Sequence, residues 1–207
     1  FSGGIRLSYS KTENVSKASQ IEHPLIRESL SFLDFDESIE IGSFADVPGS
    51  GTGLGSSSAF CVALVNVIKN YMGTSVSSEF LAQSACTIEI EKCRDPIGKQ
   101  DQYASAFGGI NYFRFNQDHS VDIQPVKDSN TANFLEQTLL LYYLGSGRNS
   151  SSILVNQEKF MRSKKSAIDS VTYIRDLVPP MMQAVALQDS IEISKILNDS
   201  WKYKKSL

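Results

Sequence analysis

A glycine- and serine-rich segment that leads directly into an apolar run constrains the fold of this 207-residue chain most strongly. Four of the thirteen glycines lie within residues 49–55, serines occupy positions 56–58, and residues 59–68 are almost all apolar. Glycines let the backbone adopt positive φ angles and approach a ligand closely. A flexible linker rarely continues straight into an apolar helix. We therefore expect a strand over residues 39–47, then a loop, then a helix buried on nearly every face.

The junction between this loop and the helix predicts a site for phosphate. The serines at 56–58 fall on the first helical turn, where free N–H groups and the helix dipole favour an anion. Asp46 is the only charged residue between positions 41 and 68. Backbone amides and hydroxyl groups would therefore hold the phosphate, with a divalent cation neutralising its charge. The sequence contains neither a P-loop motif nor a dinucleotide-binding fingerprint.

Asp101 is the second candidate, within the segment that spans residues 98–102. A carboxylate between a loop and a helix can accept the proton of a substrate hydroxyl group, or orient that group, during phosphoryl transfer. The same position is also typical of a helix N-cap. The phosphate loop upstream and the Phe107-Gly108-Gly109 sequence downstream together favour a catalytic role.

The remaining pattern indicates a mixed chain with two parts. Helical spacing covers residues 21–33, with Pro24 in the first turn, and residues 78–93 and 99–107. Residues 110–115, 121–126 and 138–144 are patterned as strands. Gly147 is the last glycine, and the chain beyond it is patterned as helix apart from Pro179-Pro180. We expect one domain over residues 1–147 and the helical beginning of a second over 148–207.

Two of these segments resemble motifs of the GHMP kinases. Residues 48–59 resemble the phosphate-binding motif of that family, with one extra residue in the approach and Ser58 where many members have alanine. Residues 98–102 are similar to the galactokinase-type segment with the catalytic aspartate. The resemblance implies an α+β fold in two layers that contains a left-handed β-α-β unit.

The resemblance also implies ATP and Mg²⁺ as cofactors and a role for individual residues. Asp101 would be the catalytic base, and Ser57 and Glu89 would bind Mg²⁺, although Glu91 competes with Glu89 and either could be an ordinary surface residue. The expected nucleotide-binding residues are Pro48, Gly49, Gly51, Gly53, Leu54, Gly55, Ser56, Ser57 and Ser58. The expected substrate-binding residues are Gly3, Gly4, Asp101 and Arg148.

Residues 101–111 and 144–154 resemble the bacterial heptose kinases of the same family. Those enzymes phosphorylate the anomeric hydroxyl group of a manno-heptose 7-phosphate. Arg148 could bind the phosphate of such a substrate, or equally cap a helix or pair at the surface. A galactokinase-like or fucokinase-like enzyme, a catalytically silent sugar and nucleotide sensor, and a generic anion-binding interaction module remain alternative functions.

Composition narrows the classes of partner. The net charge of −3 predicts no nucleic-acid partner, and the absence of a long apolar run predicts no membrane span. The three cysteines suggest neither a disulfide framework nor a metal site, which favours a cytoplasmic location. A small sugar or sugar phosphate is the expected partner, and a homodimer is compatible with the sequence. Family motifs that should follow Gly4 and Leu207 are expected to lie outside the given sequence.

Overall fold

The computed structural model describes residues 3–46, 53–143, 154–155, 159 and 164–207, which form a mixture of helices and strands in two compact units. Among the described residues, the first unit ends at Gly108 and the second begins at Gly109. The predicted boundary between residues 147 and 148 lies outside the described residues and stays a prediction. The mixed α+β class is confirmed.

A three-stranded sheet opens the first unit. Its strands are β1 (Ile5–Ser8), β2 (Thr12–Val15) and β3 (Ile39–Gly42), in the spatial order β2-β1-β3. Strand β1 is antiparallel to β2 and parallel to β3. A parallel pair needs a crossover connection, and helix α1 (Pro24–Phe32) lies in it with Pro24 at its first position. A β-α-β unit is therefore present, and its left-handed crossover stays a prediction.

Three further α-helices, beside a short 3-10 helix at Ala18–Gln20, complete the described part of the first unit. Helix α2 spans Ser56–Tyr71, and α3 spans Ser78–Cys86. Helix α3 continues into a π-helical turn, Thr87–Lys92, and α4 then covers Gln100–Phe107. Helix α2 packs against α1, α3 and α4, so its first turn, which begins at Ser56, joins the packed helices of the unit.

One core joins the sheet to these helices. Its fully buried members include Leu7 from β1, Leu30 from α1, Val65 and Ile68 from α2, and Ile88 from the π-helical turn. The prediction that α2 is buried on nearly every face was wrong, because Val67 is 60% exposed. Among the described residues, the helix has its buried positions on one face, and apolar residues such as Val67 on the other face meet solvent.

The second unit contains a two-stranded antiparallel ribbon and four described helices. The strands are β4 (Asn111–Phe115) and β5 (Val121–Pro125). The helices are α5 (Ser129–Thr138), α6 (Lys165–Asp176), α7 (Val178–Ala186) and α8 (Ser190–Lys204). Pro179 and Pro180 lie in the first turn of α7, where a missing N–H costs little. None of the described helices combines the length and apolar character needed to cross a membrane.

The strand predicted over residues 138–144 was wrong for the described part of that segment. Asp128 caps α5 by accepting hydrogen bonds from the N–H groups of Asn130 and Thr131, so a helix occupies the chain as far as Thr138. The apolar run 139–143 has no regular structure, and its side chains are 48–83% exposed. The strand was predicted from the apolar run alone, without recognising that Asp128 caps a helix that ends at Thr138.

The core can be tested with one pair of substitutions in α2. Val65→Ala removes fully buried methyl groups and should lower the free energy of unfolding by about 2–3 kcal/mol. Val67→Ala makes the same chemical change at a 60% exposed position and should cost nothing, because alanine favours helix more than valine does. Urea unfolding followed by circular dichroism measures both. Equal losses for the two variants would contradict the packing described for α2.

Candidate active site

The first turn of α2 is where the predicted phosphate loop meets the helix. Gly55 precedes the helix as its N-cap residue, with a left-handed φ of 67°, and its carbonyl oxygen accepts a hydrogen bond from the Ala59 N–H at 2.9 Å. Gly53 also has a positive φ, of 71°. Glycine adopts such angles without the steric cost that a Cβ brings. The two residues therefore allow the chain to turn sharply into α2.

The structure brings together the described members of the predicted nucleotide-binding set. Gly53, Leu54 and Ser57 are exposed at the N-terminal end of α2, whereas Ser58 is buried beneath it. No acidic residue belongs to the first turn of α2 itself. The other predicted members, Pro48, Gly49 and Gly51, lie outside the described residues.

Asp101 lies directly against Gly55. A Cβ added to Gly55 would stand 3.2 Å from the Cβ and Cγ of Asp101 and 3.3 Å from its Oδ2. Asp101 is exposed on the first turn of α4, and the N-cap position of that helix belongs to Lys99. Asp101 is therefore not the N-cap residue of α4, and Lys99 makes no side-chain capping bond. The structure therefore places an exposed carboxylate beside the amino end of α2.

Glu89 is completely buried beside the same helix end. Its Oε2 accepts a hydrogen bond from Ser58 Oγ at 2.8 Å and another from Gln102 Nε2 at 2.6 Å. Its Oε1 is also buried and has no hydrogen-bond partner among the described residues. Glu91, which the sequence left as a competitor, is exposed. The structure thus brings Glu89, and not Glu91, together with the serines of α2.

Burial dominates the electrostatics of Glu89. It raises the pKa of this carboxyl group, because a buried charge loses its hydration. The hydrogen bonds from Ser58 and Gln102, together with the nearby Ser57 hydroxyl, lower the pKa, and the charge of Asp95 raises it. The buried carboxylate is therefore only partly compensated by the protein, and a nearby cation would stabilise its charged form.

The residues present fit a magnesium ion. Oε1 of Glu89 is a buried oxygen without a partner, and the hydroxyl of Ser57 is close enough to lower the pKa of Glu89. No group of three histidine, cysteine or acidic side chains suited to a metal occurs within the described ranges. Mg²⁺ commonly uses only one or two protein oxygens and completes its shell with phosphates and water. One carboxylate oxygen and one hydroxyl group meet that requirement.

Local backbone structure explains how Glu89 reaches this position. The Cys93 N–H donates to the carbonyl of Ile88, five residues earlier, at 2.8 Å, and this bond closes the π-helical turn. The Asp95 N–H then donates to the carbonyl of Glu89 at 3.0 Å. Wide turns of this kind are often found at functional sites, because they redirect side chains within a helix.

Gln102 is the site residue whose contact the sequence did not reveal. It follows Asp101 in α4 and is completely buried, whereas Asp101 is exposed. The sequence placed Gln102 within the 98–102 motif. No spacing rule, however, predicts a contact with Glu89, thirteen residues earlier. The contact depends on how α4 packs against α3, and the Tyr103 hydroxyl supports that packing by donating to Glu79 Oε1 at 3.2 Å.

The predicted substrate-binding residues are only partly described. Gly4 donates its N–H to Ser38 Oγ at 2.9 Å, and a Cβ at Gly4 would come within 2.6 Å of the Val15 carbonyl oxygen. This crowding explains why position 4 is a glycine, because a side chain there would clash with β2. The substrate-binding roles of Gly3 and Gly4 stay predictions. Arg148 lies outside the described residues.

Comparisons with known proteins agree with the motifs. Residues 15–109 match the model of the GHMP kinases N terminal domain. The chain is 30% identical over 169 residues to a D-glycero-alpha-D-manno-heptose 7-phosphate kinase from Campylobacter jejuni, covering 81% of this chain and 49% of that protein. It is 23% identical over 202 residues to an L-fucokinase/L-fucose-1-P guanylyltransferase from Bacteroides fragilis, covering 91% of this chain and 20% of that protein.

A solved structure extends the likeness to the fold. The crystal structure of a D-glycero-D-manno-heptose 1-phosphate kinase from Bacteroides thetaiotaomicron is similar, with a TM-score of 0.74 and 26% identity. The match covers 100% of this chain and 65% of that one. The given chain thus spans about half of the first curated relative and about two thirds of the solved structure. Matched motifs, a matched family model and a matched fold lead to one conclusion: residues 15–109 of this chain form a GHMP kinase N-terminal domain.

Proposed function

We propose that the protein containing this chain transfers the γ-phosphoryl group of ATP to a hydroxyl group of a sugar or sugar phosphate. The observation on which this rests is the close approach of the Asp101 carboxylate to Gly55 at the amino end of α2. A proton acceptor thereby lies beside the place where a helix end favours phosphate. The family relationship and the kinase relatives support the same activity.

Nucleotide binding would use the amino end of α2. The N–H groups at the amino end of a helix and the exposed hydroxyl of Ser57 can donate to phosphate oxygens. Glu89 Oε1 and Ser57 would hold the Mg²⁺ of the nucleotide complex. When bound, this ion neutralises charge on the phosphates.

Asp101 would act on the acceptor. As the acceptor oxygen forms its bond to the γ-phosphorus, the bond from that phosphorus to the bridging oxygen of ADP breaks, and the hydroxyl proton passes to the carboxylate of Asp101. The partial positive charge at the end of α2 favours the charge that develops on the phosphoryl oxygens. No covalent enzyme intermediate is required.

A heptose 7-phosphate phosphorylated at its anomeric hydroxyl is the acceptor that we propose. Residues 101–111 and 144–154 resemble heptose kinases, and the first curated relative is named for that substrate. Arg148 would bind the phosphate already present on the sugar, and Gly3 and Gly4 would lie near the acceptor. The L-fucokinase relative makes fucose the natural comparison substrate.

The substitution Asp101→Asn in the full-length protein tests the proposed base. The amide keeps the size of the side chain but cannot accept the proton, so kcat should fall 10²–10⁴-fold, or about 3–5 kcal/mol in barrier height. The KM for ATP and the melting temperature should stay near their wild-type values, because the contact matters at the transition state. ADP formation measured with heptose 7-phosphate, unphosphorylated heptose, galactose and fucose also ranks the acceptors.

Two results would argue against this assignment. No ADP formation by wild-type protein with any sugar, despite Mg·ATP binding, would favour the silent sensor. Retention of more than about a tenth of wild-type kcat by Asp101→Asn would move the base elsewhere, since general-base loss costs more than that. A higher rate with fucose than with heptose 7-phosphate would overturn the choice of acceptor alone.

The contact between Gly55 and Asp101 makes a second prediction. Gly55→Ala should lower kcat at least tenfold, because its Cβ would push against the Asp101 carboxylate. Gly73→Ala is the matched control: Gly73 has a left-handed φ of 77°, but a Cβ there would meet no atom within 4 Å. Each variant should lose about 1–2 kcal/mol of stability from backbone strain. Equal kcat values for the two variants would mean that the contact has no part in catalysis.

A further inference from the structure

The hydrogen bonds to Glu89 are distributed unevenly between its two oxygens. Oε2 accepts from both Ser58 Oγ and Gln102 Nε2, at 2.8 and 2.6 Å, whereas the equally buried Oε1 accepts from none of the described residues. A carboxylate offers roughly four acceptor positions, so sharing the two donors between the oxygens would satisfy it more evenly. The protein instead places both donors on one oxygen.

We propose that Gln102 is a positioning residue, which holds Oε2 of Glu89 so that Oε1 stays available to the cation of the nucleotide complex. This inference rests on the proposed function, and it assigns Gln102 a role toward the cation and not toward the sugar. Gln102 is completely buried, and its own Oε1 has no partner among the described residues. Its bond to Glu89 is therefore the polar contact that accounts for its burial.

The terminal torsion of a glutamate explains why such a device is needed. Rotation about this torsion has only broad preferences, so an unrestrained carboxylate would readily exchange its two oxygens. Donors from two different helices, Ser58 in α2 and Gln102 in α4, prevent that rotation. Residues that hydrogen-bond to a metal ligand in this way commonly set its orientation and its affinity for the metal.

The location of Gln102 also links the two halves of the site. Asp101 and Gln102 are consecutive on the first turn of α4, and they contact Gly55 and Glu89 respectively. A rotation of α4 would move both contacts at once. The bond between Gln102 and Glu89 therefore fixes the same helical turn that presents the candidate base.

The substitution Gln102→Met tests the proposal, since methionine has similar length and shape but no amide. We expect Mn²⁺ binding in the presence of saturating ADP, followed by electron paramagnetic resonance, to weaken about 10–100-fold. ADP affinity in EDTA should be unchanged, because Gln102 does not touch the nucleotide in this account. The matched control is Gln83→Met, because Gln83 Nε2 donates to Glu79 Oε1 at the same 2.6 Å but at an exposed position. That variant should bind Mn²⁺ like wild-type protein.

Wild-type Mn²⁺ affinity in folded Gln102→Met protein would overturn the proposal, whether or not its melting temperature falls. If Gln102→Met does not fold, Ser58→Ala decides by the same measurement, because it removes the other donor to Oε2 at little change in volume. An undiminished affinity in that variant would equally overturn the proposal. Failure of the proposed function would be seen in the wild-type protein itself, which would then bind no Mn·ADP or transfer no phosphoryl group. The two failures are therefore distinguishable.

Discussion

Burial of the Glu89 carboxylate is the constraint on which the candidate active site depends. A buried carboxylate needs compensation, because it has lost its hydration. The compensation comes from Ser58 at the start of α2 and Gln102 at the start of α4, while Glu89 itself lies in the π-helical turn. Three segments distant in sequence must therefore keep their relative positions. The common core beneath them, which includes Val65 and Ile88, holds them there.

A close approach between the backbone of Gly55 and the side chain of Asp101 completes this arrangement. Gly55 stands so near Asp101 that a side chain at position 55 would disturb the carboxylate. Two physical constraints favour glycine at position 55, namely the left-handed φ and the lack of space for a side chain. Only the first constraint applies at Gly53. Both helix beginnings, of α2 and of α4, thus converge on the same small region.

Local sequence signals predicted the elements of the site but not their contacts. Pro24 marked the start of α1, and the glycines before Ser56 marked the start of α2, because these residues act through local backbone geometry. Burial was harder to predict: Val67 resembles its buried neighbours but faces solvent. The bond from Gln102 to Glu89 depends on the packing of separate helices, which no residue pattern encodes directly. Arg148 stays a prediction, since it lies outside the described residues.

The most direct test of the account is to locate the cation in a crystal of the protein grown with ADP and Mn²⁺. Anomalous scattering from manganese identifies the ion without ambiguity. We expect it about 2 Å from Oε1 of Glu89, with Ser57 as a neighbouring ligand, while Oε2 keeps its hydrogen bonds to Ser58 and Gln102. An ion bound to Oε2, or bound at Glu91 with Glu89 remote from it, would contradict the account.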